Sequence, residues 1–454
     1  MYSLDDTIAA ISTPLGEGGI GIVRLSGPEA SPIVRALFRP YRREQELRSY
    51  RLHYGHIIDP ANGAVVDEVL VSFMRAPHSY TRQDVVEINC HGGIVPLRQV
   101  LQLTLAAGAR LAGPGEMTLR AFLNGRIDLA QAEAVLDIVQ AKTNAALRVA
   151  VNQLTGHLSS QVRTLRARLV DVLAYLEATI DFVEDEIPFR DIGPDLAELE
   201  AELTALLAEA QQGLIYRQGL RAAIVGRPNV GKSSLLNALL RVSRAIVTPI
   251  PGTTRDTLEE SCNLQGIPLA LVDTAGIRAT EDLIGQLGVE RSQQALAQAD
   301  LVLLVVDGSE PLQDEDWEIA RLIRTRPALV VINKQDLIQR VDVEGFLPQA
   351  SRVHLSALTG EGLATLEQAI VDLVLSGRVL SSPTPLVSNP RHQALLQQAR
   401  EGVRAAQATL AQGLPNDFVV IDLTEAVATL GQITGQTASE ELLESIFANF
   451  CVGK

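Results

Sequence analysis

The sequence predicts a multidomain chain that combines an N-terminal α+β domain, an all-helical domain and an α/β domain with a mainly parallel sheet. Short β-like runs fill roughly the first 117 residues, and Ala- and Leu-rich helical sequence follows. From residue 219, apolar strand-length runs alternate with helical segments. A chain of 454 residues has room for about three domains of roughly 150 residues each.

The N-terminal region has β-like apolar runs separated by Gly and Pro. The predicted strands are residues 19–25, 52–58, 66–73 and 84–90, and residues 95–107 form a predicted helix. This pattern indicates a mainly antiparallel sheet. From Gly115 onward apolar residues fall at helical spacing, and a further helical run covers residues 195–212 after an acidic break.

The third region alternates buried-strand runs with helices. The predicted strands are residues 221–225, 269–272, 300–306, 328–332 and 352–355. Such repetition implies a parallel sheet covered by helices on both faces. A Ser/Pro-rich linker follows at 381–385, and helical sequence resumes from 390 to 450. We therefore predict domains at 1–117, 118–215, 216–379 and 380–454, with the α/β domain inserted into the helical one.

Charge and cysteine content limit the classes of function. The formal charge is 39 − 54 = −15, which argues against broad non-specific nucleic-acid binding. A local Arg patch near the N-terminus can still hold an anion. The three distant cysteines, Cys90, Cys262 and Cys451, indicate a reducing compartment. With an acidic N-terminus and only short apolar runs, we expect a cytoplasmic protein without membrane association.

The strongest motif is the GxxxxGKS segment at residues 226–233. It follows a predicted strand and opens a predicted helix at 234–240, which is the context that a phosphate-binding loop requires. Its backbone N–H groups can bind phosphate oxygens. Lys232 would contact the β- and γ-phosphates, and Ser233 would bind Mg²⁺. The other predicted members are Asn229, Val230, Gly231 and Ser234.

Two later strands end in motifs that complete a nucleotide site. Asp273-Thr274-Ala275-Gly276 places Asp273 behind Mg²⁺ and the Gly276 N–H at the γ-phosphate. In Asn333-Lys334-Gln335-Asp336, a carboxylate can accept both the N1 and N2 hydrogens of guanine, a donor pair that adenine lacks. Ser356-Ala357-Leu358 supplies a backbone N–H for guanine O6. The predicted nucleotide is therefore GTP and not ATP.

Between these motifs lies a predicted switch segment, with a flexible connector as the alternative. Its hydroxyls can meet Mg²⁺ and the γ-phosphate. The predicted GTP-binding residues here are Thr248, Pro249, Ile250, Pro251, Gly252, Thr253 and Thr254. Ile277 stands where Ras-like GTPases place the Gln that orients water. Low intrinsic hydrolysis, or activation by a partner or an ion, follows as a hypothesis.

Outside these motifs, the residues alone favour ordinary structural roles. Arg24 is either a surface Arg or an anion ligand, and Glu87 fits a solvated strand face. His53, His56 and His91 lack the close spacing that is typical of metal ligands. Cys451 fits an inert thiol near the C-terminal end of the chain.

Taken together, these segments resemble one family over essentially the whole chain, the tRNA-modification GTPases called MnmE or TrmE. The N-terminal part of the resemblance is DTIAA at 6–10, GGIGIVR at 18–24, DVVE at 84–87 with HGG at 91–93, and GPGE at 113–116. It continues with RAFLNGR at 120–126, DLAQAEA at 128–134 and the terminal CVGK. GTPase motifs occur in many proteins, whereas these flanking segments are specific.

The resemblance implies a Ras-like P-loop G domain inserted into the helical domain, and an N-terminal domain that dimerises and binds tetrahydrofolate. A 5-formyl-tetrahydrofolate site would lie at the dimer interface, with methylene-tetrahydrofolate as the donor form. The implied contacts are Arg24, Glu87, Arg126 and Lys454, which replaces the ordinary interpretations of Arg24 and Glu87. The cations suit a glutamate tail, and the carboxylate can accept from pterin donors.

For the G domain, the resemblance implies activation by dimerisation and K⁺. The implied K⁺ ligands are Asn229, Thr248, Ile250 and Thr253, and Thr254 joins Ser233 on Mg²⁺. A K⁺ near the phosphates would take the place of an arginine finger. Gly285 stands where the family usually has a Glu thought to orient water. Either Glu281 or Asp282 substitutes through a shifted loop, or hydrolysis is slower.

The implied function is formation of the 5-carboxymethylaminomethyl group on the wobble uridine, position 34, of certain tRNAs. GTP hydrolysis would drive a conformational change, with Lys232, Asp273, Gly276 and Thr254 at the reaction and Cys451 as a further implied catalytic candidate. The implied partners are tRNA, a second copy of the chain, and the FAD-dependent protein MnmG (GidA) in a heterotetramer or larger complex.

Two other functions are weighed beside it. An Era-like RNA switch in ribosome assembly would carry a basic RNA-binding appendage such as a KH domain after the GTPase, whereas here an acidic helical segment follows. A folate-dependent one-carbon transferase with a regulatory G domain overlaps the implied function too closely for the sequence to separate them.

Overall fold

The computed structural model of the chain describes residues 4–42, 47–182, 187–242, 259–273, 296–375 and 385–454. The chain forms two compact units, each discontinuous in sequence. The first contains Met1–Leu136, Ser159–Asp171 and Val427–Lys454, and the second contains Asp137–Leu158 and Val172–Ala426. The units are not divided along the predicted domain boundaries, which stay a prediction.

In the described part of the first unit, seven strands form one sheet in the order β3-β4-β5-β6-β2-β1-β7. They are β1 Ile8–Ile11, β2 Gly18–Ser26, β3 Phe38–Pro40, β4 Leu52–Ile58, β5 Val65–Met74, β6 Val85–Gly92 and β7 Arg110–Leu111. Neighbours are antiparallel except β1 and β7. The four predicted strands are confirmed. The three missed strands span two to four residues, too few for alternation to be visible.

One face of this sheet is covered by helices. Helices α1 Ala30–Leu37 and α2 Ile94–Ala106 pack on it, burying Val23, Ile88 and Leu97 in one apolar core. Because successive strand residues point to opposite faces, Arg24 and Glu87 lie on the other face. Burial of the apolar positions therefore presents these two charged side chains together on the open side of the sheet.

The helical sequence forms as predicted. The described helices are α3 Glu116–Leu123, α4 Leu129–Gln140, α5 Asn144–Leu154, α6 His157–Asp181 and α7 Gly193–Gln218. After the α/β region come α11 Pro390–Ala411, α12 Asn416–Thr434 and α13 Glu440–Phe447. Helix α7 buries Leu196, Leu199 and Leu203 at helical spacing. Among the residues described, no helix is long and apolar enough to span a bilayer.

The second unit contains a six-stranded sheet, counted over the described residues, in the order β13-β12-β11-β8-β10-β9. The strands are β8 Leu220–Val225, β9 Glu259–Leu264, β10 Ile267–Asp273, β11 Leu301–Asp307, β12 Ala328–Asn333 and β13 Ser351–His354. Its helices are α8 Lys232–Val242, α9 Asp314–Leu322 and α10 Leu363–Val374. The predicted parallel sheet is confirmed, except that β9 runs antiparallel to β10 at the edge. Its polar sequence, EESCNL, hid this strand from the sequence analysis.

Candidate functional site

The phosphate-binding loop connects β8 to α8, as predicted. Three of its residues have positive φ, namely Gly226 at 149°, Asn229 at 65° and Gly231 at 99°. Such a path turns backbone N–H groups toward one concavity, which binds anions. A Cβ atom on Gly231 would lie 2.2 Å from Asn333 Nδ2, so only glycine fits this position. Helix α8 begins at Lys232, two residues earlier than predicted, and therefore includes both Lys232 and Ser233.

The Lys232 side chain folds back over the loop that precedes it. Its ammonium donates to the carbonyl oxygens of Gly226 at 2.7 Å and Arg227 at 2.8 Å. Ser233 and Ser234 are exposed in the first turn of α8. The N-terminal end of a helix carries unpaired N–H groups and partial positive charge. An ammonium, two hydroxyls and a helix N-terminus thus meet at the site where the phosphates were predicted.

Asn333, at the end of β12, joins the phosphate loop to the predicted base-binding loop. It is 3% exposed. Its Nδ2 donates to Val230 O at 2.8 Å, and its Oδ1 accepts from the Ala357 N–H at 2.9 Å. The sequence predicted a nucleotide contact for Asn333 and did not foresee this link between two loops. Ala357 belongs to the segment 356–358 that was predicted to supply a backbone N–H for guanine O6, and its own N–H donates to Asn333 in this structure.

Asp336, the carboxylate predicted to bind guanine, is fixed by a hydrogen bond from a buried serine. Asp336 is exposed and accepts a hydrogen bond from Ser356 Oγ at 2.5 Å. Ser356 itself is fully buried. The Leu358 side chain is 84% exposed. A fixed, exposed carboxylate at this place is the acceptor pair that the N1 and N2 donors of guanine need.

Asp307 was not foreseen by the sequence analysis. It ends β11 beside Asn333 of β12, and its carboxylate accepts from the Lys334 ammonium and from Ser309. Burial alone would raise the pKa of Asp307, but the hydrogen bonds from Lys334 and Ser309 outweigh it and hold this pKa below its ordinary value. Lys334 is therefore anchored to the sheet. The signal that could have indicated Asp307 was its position at the end of the apolar run 301–306.

Part of the predicted nucleotide site lies outside the described residues. This holds for the predicted switch residues Thr248, Pro249, Ile250, Pro251, Gly252, Thr253 and Thr254, and for Thr274, Ala275, Gly276, Glu281, Asp282 and Gly285. The backbone of Asp273 is described. It ends β10 opposite Ile224 of β8, one residue before Val225 ends that strand. The Asp273 backbone therefore lies at the end of β10, and its predicted role at Mg²⁺ stays a prediction.

A second cluster lies on the open face of the first unit. Arg24 of β2 and Glu87 of β6 are paired in register, and Arg24 Nε lies 2.8 Å from Glu87 Oε1. The Arg24 guanidinium also donates to Gly453 O at 3.2 Å, and Ser12 Oγ donates to the same oxygen at 3.1 Å. The C-terminal segment thus lies against the N-terminal sheet, and Lys454 follows directly.

Arg126 approaches this cluster through Tyr80. Its guanidinium lies over the Tyr80 ring, 4.8 Å from the ring centre, and Tyr80 Oη lies 3.0 Å from Thr118 Oγ1. Burial raises the pKa of Tyr80, while Thr118, Arg126 and Arg24 act in the opposite direction. Both arginines are therefore within electrostatic reach of one phenol. The structure thus joins Arg24 to Glu87 and to the segment that ends in Lys454, and it places Arg126 on Tyr80 in the same unit.

The C-terminal Cys451 is an exposed free thiol. Its backbone is fixed by the Gly115 N–H, which donates to Cys451 O at 3.3 Å, and by a β-bridge between Pro114 and Val452. Burial raises the pKa of the other two thiols, Cys90 and Cys262, to about 12. Among the three cysteines, Cys451 alone is accessible to a reactant.

Comparison with known proteins identifies the family of the chain. The profile of the "GTP-binding protein TrmE N-terminus" matches residues 7–126, and that of the "MnmE helical domain" matches residues 129–451. The tRNA modification GTPase MnmE of Chloroflexus aurantiacus is 53% identical over 455 residues, covering 99% of this chain and 100% of that protein. The chain belongs to the MnmE family of tRNA modification GTPases. The family predicted from the sequence motifs is thereby confirmed, and so is the enzyme class, a P-loop GTP hydrolase.

Other MnmE proteins are similar over their whole length. Those of Geobacillus kaustophilus and Bacillus subtilis are 52% and 48% identical, over 99% and 100% of their own lengths and 99% of this chain. Solved structures include Aquifex aeolicus Era bound to GDP·AlF₄⁻, at 31% identity, and the G domain of T. maritima FeoB, at 26%. They cover 40% and 34% of this chain, and 66% and 98% of their own, with TM-scores of 0.28 and 0.27. The family assignment rests on the MnmE relatives.

An MnmE GTPase uses GTP with Mg²⁺, and the residues present fit that ion. Mg²⁺ prefers hard oxygen ligands and keeps several waters beside substrate phosphates. The Ser233 hydroxyl is exposed at the start of α8, and Asp273 ends the neighbouring strand. The Ser233 hydroxyl therefore supplies an oxygen ligand beside the phosphate loop, and the Asp273 backbone ends the strand next to it.

Proposed function

We propose that the chain is a potassium-activated GTPase that forms the 5-carboxymethylaminomethyl group on the wobble uridine of certain tRNAs. It acts with the FAD-dependent protein MnmG and a tetrahydrofolate one-carbon unit, and GTP hydrolysis drives a conformational change in that complex. The observation that carries the proposal is the convergence of the phosphate loop and the guanine motif on Asn333. It occurs in a chain that is 53% identical, end to end, to an MnmE relative.

The described residues act on GTP by position and charge. Phosphoryl transfer needs little covalent help from the protein, so positive charge and alignment supply most of the catalysis. The Lys232 ammonium, seated on two loop carbonyls, places a cation beside the β- and γ-phosphates. Asp336 orients the base and thereby fixes where the γ-phosphate lies. Thr254, Gly276 and either Glu281 or Asp282 are proposed to complete the site and orient water.

Asn229 supports the proposed potassium site. It is exposed in the phosphate loop, and its side chain has no hydrogen-bond partner among the described residues. An amide oxygen there is a suitable ligand for a hard monovalent cation. The other proposed ligands are Thr248, Ile250 and Thr253. The ion would supply positive charge near the β- and γ-phosphates, as an arginine finger does in other GTPases.

The cluster of Arg24, Glu87, Arg126 and Lys454 is the proposed tetrahydrofolate site. Guanidinium groups pair well with the carboxylates of a glutamate tail, and Glu87 can accept from pterin donors. In the structure Arg24 is shared between Glu87 and Gly453 O, so the pair and the C-terminal segment form one wall of the site. The proposed occupant is 5-formyl-tetrahydrofolate or the methylene donor form.

The proposed assembly is a homodimer that binds MnmG and tRNA in the cytoplasm. The folate site is proposed to lie at the dimer interface, and two nucleotide-bound G domains are proposed to face each other. The open sheet face that bears Arg24 is consistent with such an interface. The reactive role of Cys451 is proposed as an alternative to a purely structural one.

The first test is steady-state GTP hydrolysis by the full chain with Mg²⁺, in matched KCl and NaCl. We expect a rate strongly raised by K⁺ and abolished by Asn229→Ala. Asn449→Ala, the same change at an exposed site in the first unit, is the control and should hydrolyse GTP normally. Low rates in both salts would contradict intrinsic K⁺ activation. The next variant would then be Gly285→Glu, to ask whether the missing carboxylate limits the rate.

The second test is the tRNA product itself. Chain, MnmG with FAD, unmodified tRNA, GTP, methylene-tetrahydrofolate as the one-carbon donor and glycine as the source of the carboxymethylamino group are combined in KCl with Mg²⁺, and nucleosides are analysed by mass spectrometry. We expect the modified uridine only in the complete mixture, and its loss with Arg24→Ala. Transfer of the one-carbon unit without MnmG would instead support the folate-dependent transferase with a regulatory G domain.

A further inference from the structure

Arg227 lies in the phosphate loop, yet its side chain points to carboxylates behind the loop and not to solvent. One guanidinium nitrogen donates to Glu310 Oε2 at 2.5 Å, and Nε lies 3.4 Å from Asp316 Oδ2. The Arg227 side chain is 12% exposed and that of Asp316 only 2%. These two carboxylates flank the start of α9, so Arg227 fastens the phosphate loop to another element of the second unit.

The backbone carbonyl of Arg227 contacts Lys232, the residue predicted to bind the phosphates. Arg227 O accepts from the Lys232 ammonium at 2.8 Å. One side of Arg227 is therefore fixed by carboxylates, and the other side helps to seat the cation that meets the phosphates. A shift of the Arg227 backbone would move one of the two carbonyls that hold Lys232.

Arg227 also balances charge near the phosphate site. Its electrostatic neighbours are Glu310, Asp316 and Asp307. Asp307 is paired with Lys334, and Asp316 additionally accepts from the Gln313 N–H. Without the guanidinium, Glu310 and Asp316 would be left as uncompensated negative charge beside the loop that must hold a polyanion.

We propose that Arg227 is a positioning residue for GTP. It holds the carbonyl that seats Lys232, and it neutralises Glu310 and Asp316 next to the phosphate-binding loop. This rests on the proposed GTPase function and names a determinant within it. The function requires no contact between Arg227 and nucleotide, because the residue acts through Lys232 and through the local charge.

The test compares Arg227→Gln, Arg227→Lys, Glu310→Gln and the double variant Arg227→Gln/Glu310→Gln in the full chain. Affinity is measured with a fluorescent GDP analogue, and kcat and KM with GTP, at fixed KCl. Hydrogen bonds to charged groups and a freed buried charge predict about tenfold weaker binding for Arg227→Gln. Glu310→Gln alone should bind within about twofold of the parent, since this carboxylate is half exposed.

The double variant separates positioning from general damage. If Arg227 neutralises Glu310, removing that carboxylate should restore about threefold or more of the affinity lost in Arg227→Gln. Arg227→Lys keeps the charge but lacks the planar fork, and should fall between the parent and Arg227→Gln. Arg404→Gln removes an ion pair with Glu200 elsewhere in the second unit and should leave affinity unchanged.

Fluorescence of Trp317, beside Asp316 in sequence, reports whether each variant is folded; it is the only Trp of the chain. If Arg227→Gln is unfolded, Arg227→Lys and the double variant decide the question by the same affinities. Binding by folded Arg227→Gln within about twofold of the parent would overturn the inference. So would a loss of affinity that Glu310→Gln fails to relieve. Failure of the parent chain to bind GTP would instead contradict the proposed function.

Discussion

The link made by Asn333 allows a sharp test, because one buried side chain bonds to the backbone of two different loops. Asn333→Ala removes the donor to Val230 O and the acceptor of the Ala357 N–H, and Asn333 is 3% exposed. Each lost hydrogen bond leaves a polar group of the main chain unsatisfied, at a cost of about 1 to 2 kcal/mol. We therefore expect the free energy of unfolding of the second unit to fall by about 2 to 4 kcal/mol.

Trp317 makes this measurable, because it packs edge-on against Phe346, with ring centres 5.0 Å apart, within the same α/β region. Urea unfolding followed by its fluorescence should show the predicted loss of stability. The control is Asn449→Ala, whose exposed side chain bonds only to Ser445 O among the described residues, and which should leave the Trp317 transition in place. A change below about 0.5 kcal/mol for Asn333→Ala would refute the idea that this residue joins the two loops.

Three further predictions concern the same edge of the sheet. Asp336→Asn replaces an acceptor by a donor, so affinity for GTP should fall by about a hundredfold or more while xanthosine triphosphate, which has a carbonyl at C2, competes better in a binding assay. Gly231→Ala would place a Cβ 2.2 Å from Asn333 Nδ2 at a φ of 99°, so nucleotide binding should be lost in equilibrium titration. The control is Gly345→Ala, whose Cβ would meet no neighbour although φ is also positive there, and this variant should bind nucleotide normally. The lowered pKa of Asp307 means that this carboxylate stabilises the fold fully above about pH 4 and that the stabilisation is lost as pH falls through the folded-state pKa. The difference in unfolding free energy between the parent and Asp307→Asn should therefore shrink below about pH 4. A difference that stays constant with pH would contradict this.

Much of the α/β region could be predicted because its signals are local. The phosphate loop, the strand before it and the helix after it are contiguous in sequence, and buried parallel strands are uninterrupted apolar runs. The sequence analysis missed strand β9 because this strand lies at the edge of the sheet and its sequence is not an uninterrupted apolar run. Its residues Glu259 and Glu260 are typical of solvent-facing sequence.

The contacts that organise the sites could not be predicted in this way. Arg227 meets Glu310 across 83 positions, and Arg24 meets Gly453 across 429. The sequence next to either arginine does not specify its partner, since neither an ion pair nor a hydrogen bond to a distant carbonyl has a periodicity. The resemblance to a family supplied the folate residues as a set, and the structure supplied the contacts that join three of their segments.

The discontinuity of the first unit has a consequence for its synthesis. Val427–Lys454 belongs to the same unit as Met1–Leu136, and Gly453 O accepts hydrogen bonds from Arg24 of β2 and from Ser12, which follows β1. At about 5 to 20 residues per second, a ribosome needs roughly 15 to 60 s to add residues 137–426. During that time the sheet face that bears Arg24 lacks the C-terminal segment that contacts it. The first unit therefore cannot complete its contacts at Arg24 until residues 427–454 have been synthesised.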